Sequence, residues 1–343
     1  MMLRWLSSFT MLCALLALGI QPSEASVPGT VERDAGCAAA LSARIGAGGP
    51  VQVLGCDPRG RGLGVLALGD PATARHVAVL VPGSDIDLGN LEDPTRPGRR
   101  PLDWARALAT AASRENSTAA SRENSTAASR ENSTAASRAD GGPADSGGTA
   151  DRGDTAVVLW VGYRTPHGLG ADAASGRLAR AGATALQRFI AGLRATHAGQ
   201  LDLTVIGHSY GAVVTALAAP GLAADDIVLL GSPGARARSV AELRSPARVW
   251  AACAVDDWAR LIPHVRIGDI GHGTDPASPA FGARTLPVDG TFGHNGYFNP
   301  GSAVLAGLAE VIRGRPPAPP PGLRAGLSPA VAPGPAPGRP DTG

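Results

Sequence analysis

Lysine is missing from this chain of 343 residues: all 31 of its Lys+Arg positions are arginine. Together with 46 glycines, 29 prolines and abundant alanine, that skew matches the codon bias of GC-rich coding DNA. No arginine therefore marks function by its presence alone. Aromatics make up 4% of the residues and the formal net charge is +2. Binding to nucleic acid calls for a basic stripe interleaved with stacking rings, so no nucleic-acid partner is expected. Also missing are an H-E-x-x-H helix, a Cys/His cluster at ligand spacing and a glycine-rich phosphate loop; no metal or organic cofactor is implied. Charged residues are scarce at 17%, whereas 44% are hydrophobic. That is enough to bury a core in one large domain or two small ones.

Cysteine is rare, with four positions, and Cys13 lies in a segment expected to be removed. Arg4 supplies a positive start, Leu6 to Ile20 an apolar core and Ser23-Glu24-Ala25 a cleavage-like site, so residues 1–25 read as a secretory signal. The apolar run is short for a bilayer span, and no stable membrane span is expected in the mature chain. The expected location is secreted or associated with the cell envelope. In an oxidising compartment Cys37 and Cys56 are near enough in sequence to pair. Cys253 is then left over within an apolar strand, as a buried thiol.

Along the chain, Cys37 to Ile45 reads as a short helix. Val51 to Leu54 and Gly64 to Leu68 read as a hairpin closed by the turn Asp57 to Gly62. His76 to Val81 is an apolar strand ending in Pro82-Gly83-Ser84-Asp85, and Leu102 to Ala112 has helical periodicity. Ser113-Arg-Glu-Asn-Ser-Thr-Ala-Ala120 is then repeated identically at Ser121 to Ala128 and Ser129 to Ala136. A unit this short and polar has too little apolar surface to stack, so residues 113–154 read as a solvated low-complexity insertion. Strands follow at Thr155 to Val161, Leu203 to Ile206, Ile227 to Leu230, Arg248 to Val255 and Arg284 to Val288. Helices are expected at Leu178 to Ala195, Ala212 to Ala219, Val240 to Leu243 and Ala303 to Ile312, and residues 315–343 read as a proline-rich disordered tail. Two early strands and then alternating strand and helix call for a mostly parallel sheet with helices on both faces, within a domain spanning 26–314.

The chemistry centres on Gly207-His208-Ser209-Tyr210-Gly211, a G-x-S-x-G between strand and helix. Such a turn thrusts a serine out of a tight backbone bend as a nucleophile, and a Cβ at either flanking glycine would collide there. The Tyr210 N–H leaves the first helical turn, where the dipole favours negative charge. A serine nucleophile needs a base, and the base an orienting carboxylate. Asp256-Asp257 follows a strand two strands after the serine. His294 lies in the glycine-rich loop Asp289 to Tyr297, after the last strand. His264 and His272 precede that strand, whereas His76, His167 and His197 precede the serine. A second oxyanion donor is expected from the loop after the third strand, at the Ser84 N–H.

The chain also resembles an actinobacterial α/β-hydrolase family known only as a domain of unknown function. The resemblance runs from about Asp57 to Gly301. It is carried by Val81-Pro-Gly-Ser84, Trp160-Val-Gly-Tyr163, Gly207-His-Ser-Tyr-Gly211, Leu229-Leu-Gly-Ser-Pro-Gly234, Asp275 to Ala283 with Phe281-Gly282, and Gly293-His-Asn-Gly-Tyr-Phe298. It implies Ser209 as nucleophile and His294 as base on an α/β-hydrolase fold. Asp257 matches the usual acid position, but the family's Gly-Asp-Pro-Ile-like run reads Asp256-Asp257-Trp258-Ala259 here, which leaves Asp256 as the alternative acid. The repeat insertion has no counterpart in the family pattern.

These observations lead to the expectation of an exported serine hydrolase, esterase- or lipase-like, that cleaves an ester or related acyl bond, with a small-molecule or lipid ester as substrate. The alternatives are a non-catalytic cell-envelope binding protein on the same fold, or an acyltransferase using the same three side chains. The segment from Gly234 to Arg248 is too short for a large cap domain, so Asp85 to Arg100 and Tyr163 to Gly176 are the expected pocket walls. Acyl-chain length and oligomeric state leave no mark in the sequence.

Overall fold

Every residue of strand β3 (His76–Val81) and of strand β4 (Thr155–Val161) is buried. Continuous apolar runs, as opposed to alternating ones, encode strands covered on both faces. The computed structural model, which describes residues 31–46, 51–113 and 154–317, contains such a sheet. The expected signal segment, residues 114–153 of the repeat insertion and residues 318–343 of the tail lie outside the described residues.

The other strands are β1 (Gln52–Asp57), β2 (Leu63–Leu68), β5 (Asp202–His208), β6 (Asp226–Leu230), β7 (Arg248–Ala252) and β8 (Arg284–Thr285). Their order across the sheet is β1-β2-β4-β3-β5-β6-β7-β8. β1 and β2 form the expected antiparallel hairpin, and β2 also runs antiparallel to β4. All pairings from β4 through β3 to β8 are parallel.

Alternate residues of each strand face opposite layers. Val77 and Val79 of β3 pack with Leu186 and Ile190 of the helix Arg177–Thr196 and with Val213 of the helix Tyr210–Ala218. Ala78 and Leu80 pack the other way, with Leu41 of the helix Ala35–Ile45, Leu108 of the helix over 101–113, and Leu308 of the helix Ala303–Ile312. Counting the single turn Ala171–Ala174, these helices are α1 (Ala35–Ile45), α2 (101–113), α3 (Ala171–Ala174), α4 (Arg177–Thr196), α5 (Tyr210–Ala218) and α6 (Ala303–Ile312). Each buried Val or Leu in these layers contributes about 1.5–3 kcal/mol. Among the described residues no helix is long and apolar enough to cross a membrane.

Three differences from the sequence-based expectation bear on function. β7 stops at Ala252, so Cys253 is buried just beyond the strand and Val255 is exposed. The backbone turns there because the Asp257 N–H bonds back to the Ala254 carbonyl at 3.2 Å. β8 is two exposed residues and not five, paired on one side alone. Between them, residues 253–283 carry short 3₁₀ turns at Trp258–Leu261 and Pro279–Phe281, and a tight turn in which Ile267 and Ile270 exchange backbone bonds of 2.9 and 3.0 Å.

Candidate active site

Ser209 joins β5 to α5 with φ 57° and ψ −128°, a backbone conformation that costs an L-residue energy. Its neighbours pin it there. A Cβ on Gly211 would lie 2.1 Å from the Val81 carbonyl oxygen, so β3 and the turn could not approach as they do. The Ser209 N–H bonds to the Leu230 carbonyl at 2.9 Å, tying the turn to the end of β6. The side chain is thereby held at the carboxyl edge of the sheet, where open α/β sheets place their ligands.

His294 arrives from the loop after β8. Its Nε2 lies 2.7 Å from Ser209 Oγ and its Nδ1 lies 2.8 Å from Asp257 Oδ1. The Asp257 side chain has no exposure to solvent. Besides the imidazole it accepts the Ala259 N–H at 2.7 Å and the Tyr297 hydroxyl. Burial pushes its carboxyl up, but the hydrogen bond and charge of His294, the Tyr297 hydroxyl and the Ala259 N–H outweigh it. The carboxyl is held below its ordinary value.

The two neighbouring aspartates divide the work. Asp257 reaches the imidazole, whereas the exposed Asp256 accepts the Gly293 N–H at 2.8 Å and fastens the loop one residue before His294. Three other side chains fix that loop. His208 donates from Nε2–H to the His294 carbonyl at 2.7 Å. Burial and the nearby His294 press the His208 pKa down to about 3, so the ring is neutral and Nε2–H is the donor to that carbonyl. Trp258 sits over the imidazole with ring centroids 4.2 Å apart. Tyr297, fully buried, accepts the Ala254 N–H at 3.1 Å while donating to Asp257.

Across from the imidazole stands the loop after β3. A Cβ on Gly83 would lie 2.6 Å from Ser209 Cβ and 3.0 Å from Oγ, so glycine alone permits this approach. The Tyr163 hydroxyl donates to the Pro82 carbonyl at 2.8 Å, and Arg99 bonds to the Ser84 carbonyl at 3.3 Å. Asp85, at φ 60°, accepts the Gly168 N–H at 2.7 Å and an Arg99 N–H at 3.2 Å, and lies 2.6 Å from His167 Nδ1. The two loops expected as walls are thus clasped to each other. Among the described residues no group accepts from the N–H of Ser84 or of Tyr210. The Tyr210 amide opens α5, where the first turn leaves its N–H groups unpaired.

The remaining histidines stand apart from Ser209. His76 begins β3 and His197 caps the end of α4, both at the opposite edge of the sheet. His272 is buried against the Ala173 carbonyl at 2.7 Å, and burial depresses its pKa to about 4. His264 lies 3.9 Å from Asp275. The sulfurs of Cys37 and Cys56 are bonded to each other, fastening α1 to β1. Burial pushes the free Cys253 thiol up to about 11, which keeps it protonated at neutral pH.

The family described as alpha/beta hydrolase matches residues 57–129 and 117–267 of this chain. Over 299 residues the chain is 30% identical to the uncharacterized protein Rv2079 of Mycobacterium tuberculosis, an alignment covering 77% of this chain and 39% of the relative. It is 41% identical over 90 residues to the uncharacterized protein Rv0963c of the same organism, covering 26% of this chain and 34% of that one. The chain thus spans about two fifths of the length of the first relative, 39% by the alignment. Among solved structures, a Xanthomonas campestris member of the a/b serine hydrolases without lid is similar at 16% identity and a TM-score of 0.37, covering 79% of this chain and 97% of that one. A hyperthermophilic esterase from the archaeon Pyrobaculum calidifontis is similar at 14% identity and a TM-score of 0.41, covering 77% and 85% respectively.

Proposed function

The chain belongs to the alpha/beta hydrolase family, and we propose that it is an exported serine hydrolase that cleaves an ester or related acyl bond at Ser209. The observation that carries the reading is the unbroken run from Ser209 Oγ through His294 Nε2 and Nδ1 to Asp257 Oδ1, with steps of 2.7 and 2.8 Å. In this reading Nδ1–H donates to the buried carboxylate, which leaves Nε2 bare to take the serine proton. Oγ attacks the acyl carbon, and the oxygen that gains charge is met by the N–H groups of Tyr210 and Ser84. The imidazolium then gives its proton to the departing alcohol. Water, deprotonated by the same nitrogen, releases the acid and restores the serine.

Trp258 and the buried carboxylate both favour the transient imidazolium, one through its ring face and the other through its charge. Export is supported by the apolar segment at Leu6 to Ile20 and by the bonded pair Cys37 and Cys56, since disulfides persist in oxidising compartments. A fluorophosphonate probe tests the central claim. Labelling should fall on Ser209 and vanish in Ser209→Ala, along with turnover of short p-nitrophenyl esters. A folded protein that takes no label, or a variant that keeps its turnover, would instead leave a binding protein on a hydrolase fold.

A further inference from the structure

Among the described residues, and apart from Leu54 of β1 at 36%, the large apolar side chains that remain exposed are not scattered. Leu169, Val255, Leu261, Val265, Ile267 and Phe292 are between 54% and 83% exposed, and all lie in loops leaving the carboxyl edge of the sheet. Contacts link these loops into one rim. Phe292 precedes Gly293, whose N–H is held by Asp256 beside Val255. Trp258, itself 38% exposed, covers His294. The turn carrying Val265 and Ile267 is tied to the loop of Leu169 by the Gly271 N–H on the Ala174 carbonyl, at 2.8 Å, and by a bridge between Ser175 and Ile270.

This exposure does not come from a slack segment. Asp269, at the tip of the turn, is gripped by Arg180 at 2.6 Å and by the buried Arg236 at 2.7 Å. A firmly anchored turn that holds Ile267 and Val265 out in water is an interaction surface. Its charge indicates the partner. Arg164, Arg260 and Arg266 are exposed on the same rim with no ion pair among the described residues, Arg266 donating only to the Arg236 carbonyl, against the one exposed carboxylate of Asp256, whereas Asp269 is neutralised. Apolar side chains flanked by uncompensated arginines match an anionic lipid layer, which offers hydrocarbon beneath a negative surface.

We propose that this rim docks on an anionic lipid surface, and that Ser209 draws its ester from that layer. The docking stands on the exposed side chains, while the delivery of the ester rests on the serine-hydrolase reading. The test uses the mature chain from residue 26 and vesicles of three parts phosphatidylcholine to one part phosphatidylglycerol. The protein should sediment with them, release as salt is raised, and bind phosphatidylcholine vesicles about tenfold less well. Leu261→Ser with Ile267→Ser, and separately Arg260→Gln with Arg266→Gln, should each weaken partition about tenfold, while turnover of a soluble short-chain ester stays unchanged.

Failure of the folded protein to bind the mixed vesicles, or equal binding by both double variants, would overturn the proposal. So would a concentration-dependent dimer that the same variants abolish, since the rim would then be covered by a second copy. Ser209→Ala separates the two readings: it should bind vesicles as the parent does, so docking can hold even if esterase activity is never found.

Discussion

Exchanging each of the paired aspartates for the nearly isosteric asparagine separates two roles that adjacent, identical side chains play. Asp257 takes three donors on two oxygens: His294 Nδ1 at 2.8 Å, the Ala259 N–H at 2.7 Å and the Tyr297 hydroxyl. A carboxamide offers one oxygen and an NH₂. With its oxygen toward His294, Asp257→Asn keeps the tautomer but loses the buried charge that stabilises the imidazolium. With its NH₂ toward His294, Nδ1 must accept, the ring proton moves to Nε2, and the base is blocked. Either way kcat should fall about 10³–10⁴-fold, on the order of 4–5 kcal/mol, with KM changed a few-fold at most. Asp256 meets a single backbone donor, the Gly293 N–H at 2.8 Å, and an asparagine oxygen can accept the same bond. The net change there is about 1 kcal/mol or less, or under about fivefold in kcat. Steady-state kinetics on a soluble p-nitrophenyl ester, with thermal melting of both variants, reads the difference. Equal losses in two folded variants would refute the division of labour, and a larger loss in Asp256→Asn would transfer the role.

The buried histidines predict acid sensitivity of the fold. His208 and His272 are depressed from 6.5 to about 3 and about 4 by burial, so the unfolded chain binds protons that the native protein refuses. Their stabilisation is complete above about pH 6.5 and is lost as pH falls toward those native values. At pH 5 the loss is about 2 kcal/mol for each ring. Urea unfolding at pH 7 and pH 5 should show it, His208→Phe should shrink the difference, and identical midpoints in the parent would sink the argument. Gly83→Ala tests the close approach of the loop after β3, because its Cβ would lie 2.6 Å from Ser209 Cβ. Displacement of that loop should lower kcat about 10²-fold while fluorophosphonate labelling persists slowly. An unchanged kcat would show that the Ser84 amide has no part in the reaction.

How much of this was legible in the sequence follows the range over which each signal acts. The turn at Ser209 is written in five consecutive residues between an apolar strand and a helix, and Gly207 and Gly211 encode the close approach of the backbone locally. The helix Ala303–Ile312 and the 3₁₀ turn Val240–Leu243 end where the periodicity places them, for the same reason. His294 was accessible through chain order and the glycines around it. The choice between Asp256 and Asp257 was not, because the two share a turn and differ only in what approaches from residues 293 and 294. His208, from its place beside the serine, reads as a side chain that points away from it and packs or orients the loop, but its partner is not legible. Its hydrogen bond spans to the His294 carbonyl, and that pairing exists only once the loop has folded back. β8 was read too long because Leu286 and Val288 are apolar, yet β8 is an edge strand with one neighbour and its pairing ends at Thr285.

The least legible part, residues 253–283, connects the site to the exposed rim. Within three consecutive residues, Asp256 fastens the His294 loop, Asp257 holds the imidazole and Trp258 covers it. Each side chain is fixed by a partner on the His294 loop, so the backbone between Ala254 and Ile262 cannot rotate to hide its outward residues. Val255 and Leu261 must therefore face water for as long as the site is assembled. Relieving that exposure by local collapse would pull Asp257 from His294, a cost in activity, whereas a lipid layer relieves it without moving the site. If this coupling is real, Leu261→Ser should raise thermal stability slightly or leave it unchanged while turnover of soluble ester persists, because only exposed apolar surface is removed. A fall in stability of more than about 2 kcal/mol would show instead that Leu261 packs within the fold, and the rim would lose its claim to be a surface.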